Sequence, residues 1–142
     1  HLKQSRGHMV AIASIQSKIG VPYHTGYVAS KHALEGFCRA LRYDLEGTGV
    51  TVLTVHPHWI RGTNLRTSAC SADGKVVGDR NLAHTDESIS AEECSAAILK
   101  AIRNRDTELI IPAKLRFVPW LKLLWPGLLR RKVWGKINRQ DK

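Results

Sequence analysis

Two short apolar runs, "MVAIAS" (9–14) and "VTVLTVH" (50–56), bracket a stretch of helical periodicity, and that order limits the fold more than any other feature. Each run is apolar on both faces, which suits a strand covered on both sides rather than a half-exposed one. Between them, over 28–46, Leu34, Phe37, Cys38, Leu41 and Leu45 recur at helical spacing. "GTG" (47–49) stops this helix in the usual C-terminal way, and Pro57 ends the second run. Strand, helix and strand joined by short links make a right-handed parallel crossover. Further on, Ser90 and Glu93 form a capping box. The helix it opens carries Cys94, Ala97, Ile98, Ala101 and Ile102 on one face, and "TELIIP" (107–112) reads as a third strand. The expected architecture is α/β: three strands and two main helices, half of a doubly wound parallel sheet. The intervening polar stretch, 61–89, has no clear period, and its length marks a functional loop or one with short helices.

The charge is uneven. The chain has 142 residues, one domain's worth, and a formal net charge of +10, with nine Lys/Arg against one acid in the last thirty residues. We therefore expect a sheet domain over 1–112 and a basic amphipathic tail over 113–142. The tail interleaves Trp120, Trp125 and Trp134 with leucines and cations, and Pro119 and Pro126 break it into pieces. Tryptophan favours the headgroup region and cations favour anionic lipid, so interfacial attachment to a membrane surface is expected ahead of a pocket lid or a docking helix. Nucleic-acid binding is not expected, because the tail is more apolar than phosphate contact requires. Cys38, Cys70 and Cys94 are odd in number and widely spaced, which argues against a disulfide framework and for a reducing compartment. No apolar run is long enough to span a bilayer, and "HLKQSRGH" at the start has neither an initiator Met nor a signal-peptide pattern. A cytoplasmic protein with peripheral membrane association is expected, its N-terminal residues reading like the middle of a longer chain.

Chemistry enters at "GYVASKHAL" (26–34). Tyr27 and Lys31 share a helix face at i, i+4. A phenol ordinarily titrates near pH 10. A neighbouring ammonium stabilises the phenolate and brings proton transfer within reach of neutral pH. The pair alone is close to chance, but Ser14 ends the first strand, where its hydroxyl can hydrogen-bond a substrate carbonyl. Ser14 and Pro57 both fall at C-terminal strand ends, where sheets of this kind bind ligands. His24, His32, His56 and His58 lie near these positions but lack the converging third partner a metal needs; no metal site is expected, and His56 and His58 are given loop and pocket roles.

"GHMVAIAS", "YVASKHALEGF" and "VTVLTVHPHWIRGTNL", in this order and spacing, strongly resemble the short-chain dehydrogenase/reductase family over roughly residues 1–112. The resemblance implies an NAD- or NADP-dependent oxidoreductase interconverting a hydroxyl and a carbonyl on a small or lipid-like substrate. It assigns Tyr27 as general acid/base and Ser14 as the group polarising the substrate oxygen. Lys31 would tune the tyrosine and bind the nicotinamide ribose. The backbone around Pro57–Ile60 would hold the carboxamide, with Thr63 close by. It also implies a homodimer contact along helix 28–46, for which burial within the domain is an equal alternative. Three positions depart from the pattern. Ser17 stands where the family usually has Gly, Pro57-His58 replaces Pro-Gly, and Gly62 puts Thr63 one residue late. The family's Gly-rich phosphate turn is absent from these residues, so by this resemblance the chain reads as the C-terminal half of a member, the C-terminal half of a Rossmann-like doubly wound parallel sheet. The alternative is a catalytically incomplete chain serving as a membrane- or subunit-interaction module.

Overall fold

A computed structural model describes residues 1–63 and 88–140, the side chains of 138–140 excepted. A short helix, α1 (Leu2–Ser5), leads into β1 (His8–Ile12), then α2 (Thr25–Asp44) and β2 (Thr51–Pro57). They are followed by α3 (Ala91–Arg103), β3 (Glu108–Ile111), α4 (Val118–Leu124) and α5 (Pro126–Gln140). Single 3-10 turns cover Ile15–Ser17 and Ala113–Phe117.

The three strands form one parallel sheet in the order β1-β2-β3, with Val10 opposite Leu53 and His56 opposite Ile110. All seven residues of the central strand are buried, as the two-faced apolar run requires. Alternation along β2 sends Val52 toward α2, where it packs with Ala11 and Cys38 against Leu34, Leu41 and Leu45. Leu53 and Val55 point to the other face and pack on Cys94 and Ala101 of α3. Burying side chains of this size stabilises the fold by about 1.5–3 kcal/mol each, which is what clamps one helix to each face.

The helix ends follow their local chemistry. Ser90 and Glu93 form the full capping box that opens α3. After α2 the chain turns through Gly47 at φ 75° and Gly49 at φ 78°. It is the positive φ that calls for glycine at Gly49, where a Cβ would also press on the Arg6 side chain at 3.0 Å.

Three details differ from the expectations. β1 ends at Ile12, two residues before Ser14, because the Ser14 hydroxyl accepts the Gln16 amide and its carbonyl accepts the Ser17 amide. Those bonds compete with the sheet ladder and draw the chain into the 3-10 turn. α2 begins at Thr25 and ends at Asp44, slightly ahead of 28–46. Phe37, counted with the buried stripe, is 56% exposed, since Leu34, Cys38, Leu41 and Leu45 fill the centre of that stripe without it. Most of the polar stretch 61–89, with Cys70, lies outside the described residues. The tail packs on the sheet domain where Lys122 Nζ donates to the Lys18 carbonyl at 3.1 Å and Tyr23 meets Trp134 edge-on at 6.2 Å.

Candidate functional site

Beyond the C-terminal end of β1, the 3-10 turn and the start of α2 pack together and bring Ser14, Tyr27 and Lys31 to one end of the sheet. Ser14 is buried. Its Oγ accepts from the Gln16 amide at 3.2 Å, which leaves the hydroxyl hydrogen free to donate. Tyr27 is 39% exposed, and its phenol makes no hydrogen bond among the described residues. Lys31 Nζ lies 5.6 Å from the Tyr27 ring centroid and donates to the Ile12 carbonyl at 2.9 Å. The last carbonyl of β1 thus holds the ammonium beside the phenol. Partial burial pushes the Lys31 ammonium below its usual range. Ser14 and Tyr27 lie at the same end of the sheet and make no hydrogen bond to each other among the described residues.

Sequence reasoning missed what fixes the entry to α2. His24 Nδ1 lies 3.1 Å from Gln16 Oε1, and its ring meets Tyr27 edge-on at 6.5 Å. Gln16 therefore serves both sides, holding Ser14 through its amide and His24 through its side chain. An uncharged Gln in a loop gives no pattern that would reveal this.

The second strand end contributes backbone. Pro57 is the last residue of β2 and is buried. Ile60 forms an isolated parallel bridge with Ile89, in which Ile89 accepts from the Arg61 amide at 2.8 Å and donates to the Trp59 carbonyl at 3.0 Å. In such a bridge the N–H and C=O of Ile60 itself point away from Ile89. The Ile60 carbonyl accepts from Thr63 Oγ1 at 3.4 Å, while its N–H has no backbone partner among the described residues. A planar carboxamide needs a donor and an acceptor side by side, so Ile60 fits that group. Thr63 is exposed and turned toward Ile60.

The largest departure from expectation is His56. It is fully buried on the α2 face of β2, with no exposure toward a loop or pocket. Its Nδ1 lies 2.8 Å from Ser17 Oγ, and its Nε2 lies 3.4 Å from Glu108 Oε1. Lys18 pairs with Glu35 and, at 2.5 Å, with Glu108. Burial would raise the Glu35 carboxyl, but the bond and charge of Lys18 outweigh it and hold the group below its ordinary range. Glu108 is held down to about 2, first by His56, against the opposing effect of burial, and then by Lys18. At 3.4 Å the His56 contact is long for a hydrogen bond. Glu35, His56 and Glu108 offer ligand atoms within 4.8 Å of one another, as a metal would require, but the Lys18 ammonium already bonds both carboxylates.

Because the Glu108 pKa is depressed on folding, its contribution is complete above its unfolded value near 4.5 and is lost as pH falls toward about 2. Urea midpoints measured from pH 6 to pH 2.5 should therefore fall less steeply for Glu108→Gln than for the native chain. Parallel curves would contradict this.

Two cavities flank these elements. One of about 500 Å³ lies at the opposite, N-terminal end of the strands, where Arg42 is taken up by Val52, Thr54 and Thr107. The other, about 250 Å³, lies between Gly20 and Pro22 of the loop before α2 and Pro126, Leu129, Val133 and Trp134 of α5.

Comparison with known proteins bears on the family and the fold. The short chain dehydrogenase family model matches residues 1–73. Dehydrogenase/reductase SDR family member 7B of Mus musculus is 33% identical over 99% of this chain, and that of Xenopus laevis 37% identical over 99%. The chain spans 43% of the length of these relatives. Among solved structures, a short chain dehydrogenase from Burkholderia cenocepacia in complex with NADP superposes with a TM-score of 0.70 at 20% identity, covering 93% of this chain and 49% of that one. A short-chain dehydrogenase from Sphingobium yanoikuyae in complex with NADPH gives 0.65 at 23% identity, covering 91% and 47%. At these identities the structures establish a shared fold.

Proposed function

Because the chain belongs to the short-chain dehydrogenase family, we propose that the protein carrying it is an NAD(P)-dependent oxidoreductase that interconverts a hydroxyl and a carbonyl group. The observation that carries this reading is the exposed Tyr27 phenol, without a hydrogen bond among the described residues, one helical turn from the Lys31 ammonium and at the same end of the sheet as Ser14. The relatives in complex with NADP and NADPH support a nicotinamide cofactor.

The chemistry a bound NAD(P)H would supply here is hydride donation from C4 of the nicotinamide to the carbonyl carbon. In that direction Ser14 donates its free hydroxyl hydrogen to the carbonyl oxygen and stabilises the developing alkoxide. Tyr27 transfers the phenol proton to the same oxygen, giving the alcohol. The tyrosinate left behind is stabilised by Lys31 and regains its proton from solvent. Lys31 would also hold the ribose hydroxyls and Ile60 the carboxamide, with Pro57 and Thr63 shaping that loop. The test is NAD(P)H oxidation by the whole protein across a panel of ketones running from acetophenone to long-chain ketones. Failure to couple to any of them would remove the reading.

The tail favours an apolar substrate met at a membrane surface. Phe117, Trp120, Leu123, Leu124 and Trp125 are each more than half exposed, beside Lys114, Arg116 and Lys122. Among the described residues no helix is long and apolar enough to cross a membrane. An exposed apolar face rimmed by cations matches an anionic interface. The protein should float with anionic liposomes, and deletion of 113–142 should abolish that; equal flotation of both forms would contradict the attachment.

A further inference from the structure

Ser14 has to present its hydroxyl at a fixed point, yet it sits in a loop beyond the end of its strand. Its carbonyl is the best-held atom of that loop. It accepts from the Ser17 amide at 2.9 Å and the Ser17 hydroxyl at 2.7 Å, with His56 Nδ1 at 3.3 Å. A carbonyl only accepts, so Nδ1 must carry a hydrogen. The single Ser17 proton is committed to Ser14, so the Nδ1 hydrogen also serves the Ser17 oxygen at 2.8 Å. All of these side chains are buried, where an imidazole tether is shielded from competing water.

The histidine is in turn caged by charge. Glu108 on β3 faces Nε2, Lys18 bridges Glu108 to Glu35 on α2, and Arg39 reaches Glu35 at 3.3 Å. The cage joins α2, β2, β3 and the turn after β1, the elements that set where Ser14 lies. Ser17, where the family usually has Gly, gains a hydroxyl that meets an interior histidine.

We propose that His56 is a positioning residue, which through Ser17 fixes the Ser14 turn, and that the Lys18–Glu35–Glu108 cluster holds His56 in register. The kinetic part of this inference rests on the oxidoreductase reading above; the geometric part does not.

Asparagine and glutamine separate the two ring nitrogens, since an Asn amide nitrogen falls near the place of Nδ1 and a Gln amide nitrogen near that of Nε2. In the whole protein carrying a 13C-labelled Ser14 carbonyl, NMR should show an upfield shift in His56→Gln and in Ser17→Ala. His56→Asn should keep the native position. A folded His56→Gln or Ser17→Ala protein with an unshifted Ser14 carbonyl overturns the proposal, whether or not turnover is seen. Removal of one directly acting oxyanion-hole donor in acyl transfer lowers kcat by roughly 10²–10³. An indirect effect should be smaller, about tenfold in kcat for His56→Gln with KM within about twofold, and near-native kcat for His56→Asn. Equal losses in both variants, tracking a common fall in melting temperature, would make His56 merely structural and overturn the proposal. Turnover that survives Tyr27→Phe would count against the oxidoreductase reading and leave the network to the NMR result.

Discussion

Replacing Tyr27 by Phe is expected to lower turnover by about 10²–10⁴-fold, the range assigned to general acid–base catalysis. The substitution removes one oxygen and nothing else. That oxygen makes no hydrogen bond among the described residues, and the side chain is 39% exposed, so the folded state loses little. Stability should stay within about 0.5 kcal/mol of the native value, as for a surface change away from caps, cores and buried networks. The Lys31 ammonium keeps its bond to the Ile12 carbonyl, and the ring it flanks is retained. Cofactor binding should therefore persist while the proton donor is gone. Steady-state kinetics with a fluorescence titration of NADPH would separate the two effects. Native-like turnover in the Phe protein would remove Tyr27 from the chemistry.

The largest stability effect should come from a residue outside the catalytic set. Lys18→Met is expected to cost about 3–5 kcal/mol, as when one partner of a buried charge cluster is lost. The side chains of Lys18 and Glu35 are only 8% and 10% exposed. Without the ammonium, Glu35 and Glu108 face each other across the space it occupied, with Arg39 as the remaining close cation on Glu35. Arg39→Ala supplies the contrast: its side chain is 65% exposed, and solvent-screened pairs of this kind contribute about 0–1 kcal/mol. Urea unfolding of the two variants should therefore differ severalfold in lost stability. A Lys18→Met loss no larger than that of Arg39→Ala would show that the cluster is not a structural clamp.

Sequence period carried the layer architecture. Two-faced apolar runs became β1 and β2, helical spacing became α2 and α3, and the Ser90–Glu93 pair capped α3 as expected. Those features are local, so a linear reading reaches them. Tyr27 and Lys31 were legible for the same reason, one turn apart on one helix. Ser14 was legible as the end of an apolar run, but β1 stops two residues before it, because its hydroxyl bonds its own backbone neighbours. His56 was misplaced because Pro57 beside it suggested a loop. The alternation of Val52, Thr54 and His56 along β2 was a usable sign that it faces α2. Its partners were not legible: Ser17, Glu35 and Glu108 meet it only through sheet register and helix placement. The same holds for Gln16 and His24, eight residues apart and joined across the loop before α2.

The central claim is that this segment supplies the proton-transfer face of a hydride-transferring site. Deuterium transfer from NADPH deuterated at the transferable C4 position, in the whole protein with a ketone it reduces, tests that claim most directly. The account predicts deuterium on the carbinol carbon of the product at one equivalent per turnover for the native protein, and negligible labelled product for Tyr27→Phe. Alcohol formed without deuterium at that carbon, or formed equally fast by the Tyr27→Phe protein, would contradict it.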